Sequence, residues 1–379
     1  MNEERIVFPG RLAIQQRVLP RYRAPFFEAL AQACAGGLSV FAGQPLPDEQ
    51  IAPVETLDHA RLFPARNRHY FNPGSPFYQC WQEGIVVWLE RWQPDALIVE
   101  ANPRYPNTRR AVSWMHAHKK PVLGWGLGAP RLNGLLGGLR SGTRRRFLSM
   151  LDGMIAYSQR GALEYQALGF DKERVFVAPN AAAAKPAHPN PVRPETFGER
   201  PVVLFVGRLQ RRKRLDLLLQ ACASLPRAQQ PRLQIVGEGP AQAELQALAG
   251  RVYPEAEFPG AKYGEELECY FRDADLFVLP GTGGLAVQQA MAFGLPVIVA
   301  QGDGTQEDLV RPENGWRIPA DDPAALQTAL REALADPGQL RRMGAESYRI
   351  VAQEVNLEAM VGAFVRALNH ITGSSLPGG

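Results

Sequence analysis

Short apolar runs, most of them stopped by glycine or proline, recur through this chain with amphipathic helical stretches between them, and that alternation leaves few folds open. In the second half the runs are Val202–Val206, Leu233–Val236, Leu276–Leu279 and Val297–Val299. Apart from Gln234, consecutive positions are apolar, so both faces of each strand need cover, as in a parallel sheet with helices on both sides. In the first half the strand candidates are Ile6–Phe8, Leu38–Phe41, Ala96–Val99, Val122–Gly124, Met154–Tyr157 and Val175–Val177, with helical stretches such as Pro76–Trp92 and Pro106–His118 between them. Strands alternating with helices predict an α/β fold of doubly wound sheets.

Two strand series in 379 residues exceed one ordinary core, so two domains are expected. Between the series, residues 181–200 read AAAAKPAHPNPVRPETFGER, rich in proline and without an apolar period. This stretch reads as an interdomain linker between residues 1–180 and residues 201–355; the alternative is a long surface loop inside one domain. A last helix over 356–372 carries Leu357, Met360, Val361, Phe364, Val365 and Leu368 at helical spacing.

A content of 45% hydrophobic and 21% charged residues excludes global disorder. Cys34, Cys80, Cys222 and Cys269 form no CxxC and pair with no histidine, which predicts buried thiols in a reducing compartment rather than disulfides or a zinc site. No signal-peptide order opens the chain, and the most apolar stretch, Leu276–Ala300, is too interrupted by proline and glycine to span a bilayer. A cytoplasmic protein is expected. The net charge of +4 is modest, but Arg144–Arg146 and Arg211–Arg214 are basic clusters that suit phosphates or an anionic surface, or else are solvated faces. Neither cluster is interleaved with aromatics, so nucleic acid is not an expected partner.

Ligands of open α/β sheets bind beyond the carboxyl ends of the strands. After Val202–Val206 come Gly207, Arg208 and the run to Arg214, followed by a helix over Leu215–Ala223. Arg208 and Lys213 so placed, beside the N–H groups of a helix start, suit a diphosphate. After Leu276–Leu279 come Pro280, Gly281, Thr282, Gly283, Gly284 and Leu285, glycines that let backbone N–H groups approach a phosphate. Gly237-Glu238-Gly239-Pro240 is a third such turn. In the first half Glu100, Asn102 and Arg104 follow a strand, and Gly10, Arg11, Arg17, Arg21, Tyr22 and Arg23 crowd the loop expected after the first one. These read as acceptor contacts or as plain surface charge.

The segments VGRLQRRKRLDLL, IVGEGP, FPGAKYGEELECYFRDADLFVLP and GLAVQQAMAFGLPVIVA, in that order and spacing, resemble the C-terminal domain of the retaining nucleotide-sugar glycosyltransferases of family 4. QQRVLPRYRAPFFEAL and YSQRGALEYQALGFDKERVFVAPNA resemble a bacterial subset of that family more loosely. The resemblance implies two Rossmann-like domains facing across a cleft (the GT-B fold), acceptor binding in the first, and a final helix that crosses back onto it. It implies that Arg208 and Lys213 grip the donor diphosphate, that backbone groups at Gly283–Leu285 complete the grip, and that residues near Lys262 face the nucleobase. The family's two signature glutamates, eight positions apart, align with Gly281 and Gln289. Gln289 keeps an acceptor for a ribose hydroxyl, and Gly281 is expected to leave space beside the donor sugar. Where many members carry a histidine, this chain has Leu127.

Asp273-Ala274-Asp275 mimics a metal-binding Asp-x-Asp but closes a helix and opens a strand, so a structural role is expected. Leu132–Leu151, with Arg140 and Arg144–Arg146, is a basic amphipathic pattern compatible with peripheral contact to an anionic membrane, or with an ordinary packed helix. The expected function is transfer of a hexose-type unit from a nucleoside diphosphate sugar to a lipid-linked or polysaccharide acceptor. No cofactor is expected, and Arg208 and Lys213 stand in place of a metal ion. The resemblance implies retention. The competing readings are a degenerate paralogue that binds without turnover, and an epimerase or phosphorylase of the same fold.

Overall fold

Gln15 decides where the first sheet begins. In the computed structural model, which describes residues 6–374 apart from 50, 131–136, 284 and 303–304, the first strand is β1 (Leu12–Val18) and not Ile6–Phe8. Phe8 makes only an isolated bridge to Cys34. The glutamines of β1 look too polar for a central strand, yet Gln15 is 0% exposed. Its amide donates to Gln82 Oε1 and its carbonyl oxygen accepts from the Glu100 backbone N–H at 3.1 Å. Gln82 in turn donates to Gln16 O and Asn67 Oδ1, each at 3.0 Å. Satisfied polar groups can be buried, so the strand continues where hydropathy alone marks a loop.

Among the described residues two sheets form, one in each of two units: Met1–Ala182 with Leu357–Gly379, and Ala183–Asn356. The first unit adds β2 (Leu38–Gly43), β3 (Arg61–Tyr70), β4 (Gln79–Glu83), β5 (Ala96–Glu100), β6 (Val122–Gly126), β7 (Gly153–Ala156) and β8 (Val175–Val177). The order is β4-β3-β2-β1-β5-β6-β7-β8, parallel except for the antiparallel pair β3–β4. The helix expected over Pro76–Trp92 is therefore divided. Gln79–Glu83 is a strand, Gly84 turns with φ 90°, and only Ile85–Trp92 is helical. That left-handed residue is the natural break between strand and helix.

The helix Leu357–Thr372 lies in the core of the first unit. Its Phe364 meets Phe26 and Trp125 at ring-centroid distances of 4.9 and 5.0 Å. Asn369 Nδ2 fastens it to Val7 O at 3.1 Å. The opposite face of the sheet is filled by Phe41, Trp88, Val99, Val112 and Phe147.

The second unit contains β9 (Val202–Val206), β10 (Arg232–Val236), β11 (Glu257–Gly260), β12 (Leu276–Leu279), β13 (Val297–Ala300) and β14 (Gly315–Ile318) in the order β11-β10-β9-β12-β13-β14, with every recorded pairing parallel. Counted along the chain this is the doubly wound Rossmann order, with its reversal between β9 and β12. Residues 183–200 pack on this unit. Arg193 donates to Phe271 O and Phe293 O at 2.8 Å and to Ala274 O at 2.9 Å, carbonyls at the ends of the helices Gly264–Asp273 and Leu285–Ala292. Those groups have no partner within their own helices, and a cation suits them. Burial among them lowers the Arg193 guanidinium to about 10. Asp275 accepts from Val202 N at 2.8 Å and Arg341 Nη2 at 2.7 Å, so it ties strand to helix. No helix among the described residues is long and apolar enough to cross a membrane.

Candidate functional site

The reversal between β9 and β12 opens a crevice at their carboxyl ends, and the glycine-rich loops meet there. Gly207 (φ 152°) turns the chain out of β9, Arg208 is exposed, and the buried Leu209 anchors the loop with its N–H on Glu238 O at 2.9 Å. Gly237 (φ 140°) packs so closely that a Cβ there would lie 2.0 Å from Gly207 O; at Gly239 it would lie 2.3 Å from Leu209 O. The GEG turn after β10 is thus glycine because two strand-end loops touch through their backbones. Glu238 is exposed, and Lys262 is ion-paired with Glu266 at 3.4 Å in the turn after β11.

The loop after β12 is bound to the loop after β9. Thr282 N donates to Arg212 O at 3.0 Å, and Arg212 Nη1 donates to Thr282 Oγ1 at 3.2 Å. Lys213 Nζ donates to Thr282 O at 2.6 Å, while Gln306 Nε2 donates to Gly283 O at 3.2 Å. The Gly283 N–H, trans to the Thr282 carbonyl across a planar peptide, therefore points away from Lys213. Burial, reinforced by the neighbouring Arg212 charge, lowers the Lys213 ammonium to about 8. Gly281 does not leave space, contrary to expectation: a Cβ there would stand 2.2 Å from Arg212 O and 2.6 Å from the Lys213 carbonyl carbon. Gly284 lies outside the described residues. Leu285 opens the helix Leu285–Ala292, on which Gln289 is exposed and Gln288 is buried. Gln306, 4% exposed, escaped the sequence reading, since a lone glutamine in TQEDL carries no signal.

In the first unit Glu100 and Leu127 line a cavity of about 390 Å³ with Arg23, Trp125 and Tyr157, at the carboxyl ends of β1, β5 and β6. Burial pushes the Glu100 carboxyl up, opposed by the Arg17 N–H that it accepts at 2.7 Å and by the charge of Arg17. The Arg17 guanidinium is occupied by Glu49, with bonds of 2.7 and 2.9 Å. Arg104 and Asn102 border an adjoining cavity of about 330 Å³ with Phe77, Arg140 and Arg144. Gly10 and Arg11 do not join them. Because β1 begins at Leu12, they sit at its amino end, where Arg11 N donates to Asp95 Oδ2 at 2.8 Å. Of the basic segment Leu132–Leu151, residues 131–136 lie outside the described residues. The helix Gly137–Leu148 buries Phe147 and Leu148, and Arg144 donates to Ala129 O at 3.3 Å. Cys34, Cys80 and Cys222 are buried as expected, but Cys269 is exposed.

Residues 190–350 match the family model described as Glycosyl transferases group 1. A GDP-mannose-dependent alpha-(1-6)-phosphatidylinositol monomannoside mannosyltransferase of Mycolicibacterium smegmatis is 32% identical over 215 residues, 53% of either chain. The protein of the same description from Mycobacterium tuberculosis is 28% identical over 283 residues, 69% of either chain. The chain spans about half the length of the first curated relatives it matches. Among solved structures, sucrose-phosphate synthase from Thermosynechococcus elongatus superposes with a TM-score of 0.69 at 20% identity, covering 96% of this chain and 100% of that one. HepE of Anabaena in complex with UDP gives 0.64 at 16% identity, covering 95% and 99%. The fold is accordingly the one shared with solved two-Rossmann-domain glycosyltransferases, and the match to the Glycosyl transferases group 1 model falls within the second unit.

Proposed function

We propose that the chain transfers a hexosyl unit from a nucleoside diphosphate sugar to a lipid-linked or polysaccharide acceptor, with retention and without a metal ion, at the inner face of the cytoplasmic membrane. The observation that carries this reading is the junction of the two loops flanking the sheet reversal, where Lys213 and the Gly281–Gly283 backbone are hydrogen-bonded into one unit. Arg208 and Lys213 supply two positive charges to the loop junction, and the Gly283 N–H, on the side of the loop away from Lys213, supplies a donor. A departing diphosphate needs that stabilisation most as the sugar bond breaks. The matched relatives named as GDP-mannose-dependent support a nucleoside diphosphate donor. Binding without turnover is the competing reading. The close backbone packing at Gly281 serves either reading, and donor hydrolysis decides between them.

The test is a panel of nucleoside diphosphate hexoses incubated with the full chain in EDTA, with donor hydrolysis followed and transfer-product anomers identified by NMR. Release of nucleoside diphosphate from one donor, lost in Arg208→Ala, supports the proposal. Absence of binding to every donor sinks it, and activity abolished by EDTA removes the metal-independent part.

A further inference from the structure

Two residues that line the cavity at the carboxyl ends of β1, β5 and β6 carry hydrogen-bond donors that lack acceptors. Arg23 Nη1 and Trp125 Nε1 are both closed off from solvent, and neither has a hydrogen-bond partner. They belong to one cluster: the Arg23 guanidinium lies 5.1 Å from the Trp125 ring, 5.2 Å from Tyr157 and 5.7 Å from Tyr22, and its Nη2 reaches the Tyr157 hydroxyl at 3.3 Å. Arg17, at the same end of β1, is neutralised by Glu49. Among the described residues no carboxylate forms an ion pair with Arg23. Buried donors in native proteins nearly always find an acceptor. Arg23 and Trp125 both line one cavity at the sheet reversal of this unit, between β1 and β5, so a group entering that cavity is the nearest candidate acceptor for the two donors.

Guanidinium and indole N–H groups donate and never accept, so their complement is an acceptor-rich oxyanion, a carboxylate or a phosphate. The rest of the wall differs in kind. Glu100 and Asn102 offer acceptors and an amide for hydroxyl groups, and the half-exposed Tyr22 ring offers an apolar face. We propose that this cavity binds an acidic sugar, its phosphate or carboxylate seated between Arg23, Trp125 and Tyr157 and its hydroxyls on Glu100 and Asn102. As the acceptor class of the proposed transferase this rests on that function; as a binding site it stands alone.

The experiment uses the full chain with excess UDP and GDP present to fill the site of the second unit. Glucose 1-phosphate, glucuronate and the neutral methyl α-glucoside are titrated by calorimetry. Both anions, or one of them, should bind while the neutral glycoside does not, and the stronger anion identifies phosphate or carboxylate as the group recognised. Arg23→Gln should weaken anion binding about 10- to 100-fold, the range for a charge-assisted contact, with UDP and GDP affinity unchanged. Trp125→Phe keeps the ring and removes the donor, and should weaken binding about 5-fold; it decides the matter if Arg23→Gln does not fold. Equal binding of the neutral glycoside, or anion titrations unchanged in the folded variants, overturns the proposal. So does anion binding that disappears when the nucleotides are present. Donor hydrolysis is measured on the same samples: a chain that hydrolyses donor but binds no anion refutes only this site, and the converse refutes only the transferase reading.

Discussion

Gly281→Ala puts one methyl group where the structure has backbone. The new Cβ would sit 2.2 Å from Arg212 O, 2.6 Å from the Lys213 carbonyl carbon and 2.7 Å from Lys213 Cα, none of which is the movable end of a side chain. If the loop holds its place, overpacking of this kind costs about 1–3 kcal/mol. If the loop retreats, it gives up the Thr282 N–Arg212 O bond of 3.0 Å and the Lys213–Thr282 bond of 2.6 Å, together about 1–3 kcal/mol. The chain takes the cheaper route, so a loss near 2 kcal/mol is expected either way, roughly 4–8 °C in the melting temperature of a domain this size. Gly250→Ala is the internal control. It lies in the helix Gln242–Val252 with nothing within 4 Å of its would-be Cβ, and should gain about 0.5–1 kcal/mol. Both variants are melted by calorimetry and titrated with UDP and GDP. Gly281→Ala should also bind nucleotide more weakly, because the Lys213 contact and the Gly283 N–H move together. A Gly281→Ala protein that melts within about 1 °C of wild type and binds nucleotide equally would refute the steric account.

Arg208→Ala and Lys213→Ala should each weaken nucleoside diphosphate binding about 10- to 100-fold while the fold is kept, and unchanged titrations would place the phosphate site elsewhere. Lys213 sits at about 8, below an ordinary lysine. The ammonium proposed to grip the diphosphate is therefore present below that pH and lost as pH rises through it; affinity should be level at neutral pH and fall above about 8 with proton uptake on binding, Lys213→Arg should abolish the fall, and a flat wild-type profile to about pH 9.5 would contradict this. Gln306→Leu releases the Gly283 carbonyl and should cost about 5-fold in nucleotide affinity, read by the same titration. Gln15→Leu strands Gln82 and the Glu100 N–H inside the first unit and should lower stability by about 1–3 kcal/mol in a denaturant titration.

The four inner strands of the second unit were readable because they are largely apolar on both faces and three of them end at Gly207, Gly237 and Pro280, so hydropathy and turn chemistry agree; the edge strands β11 and β14, with Glu257 and Arg317, were not. The first unit hides its strands where that agreement fails. In β1 the pair Gln15–Gln82 replaces apolar contact by hydrogen bonds, and in β3 charged Arg61, Arg66 and Arg68 alternate along a strand only one place from the sheet edge. Displacing the first strand carried Gly10 and Arg11 to the wrong end of the sheet. The loops after β9 and β12 were legible as glycine and arginine patterns. What Gly281 does was not, because its reason is the backbone of Arg212 and Lys213, distant in sequence. The unsatisfied donors on Arg23 and Trp125 likewise exist only once β1 and β6 are brought to one end of the sheet.

The helix Leu357–Thr372 closes the first unit although it follows the whole of the second in the chain. During synthesis, residues 1–182 leave the ribosome with the face of Phe26 and Trp125 uncovered. That face stays open while residues 183–356 are made, roughly 10–35 s at ordinary translation rates. A nascent chain in that interval presents a broad apolar surface and is a natural client for a ribosome-associated chaperone. The second unit, contiguous in the chain, can fold first and hand its neighbour the missing helix. An expression fragment ended at Ala182 would remain permanently in the unfinished state, whereas one that fuses Leu357–Thr372 behind it through a flexible tether restores the native pairing of Phe364 with its two aromatic partners.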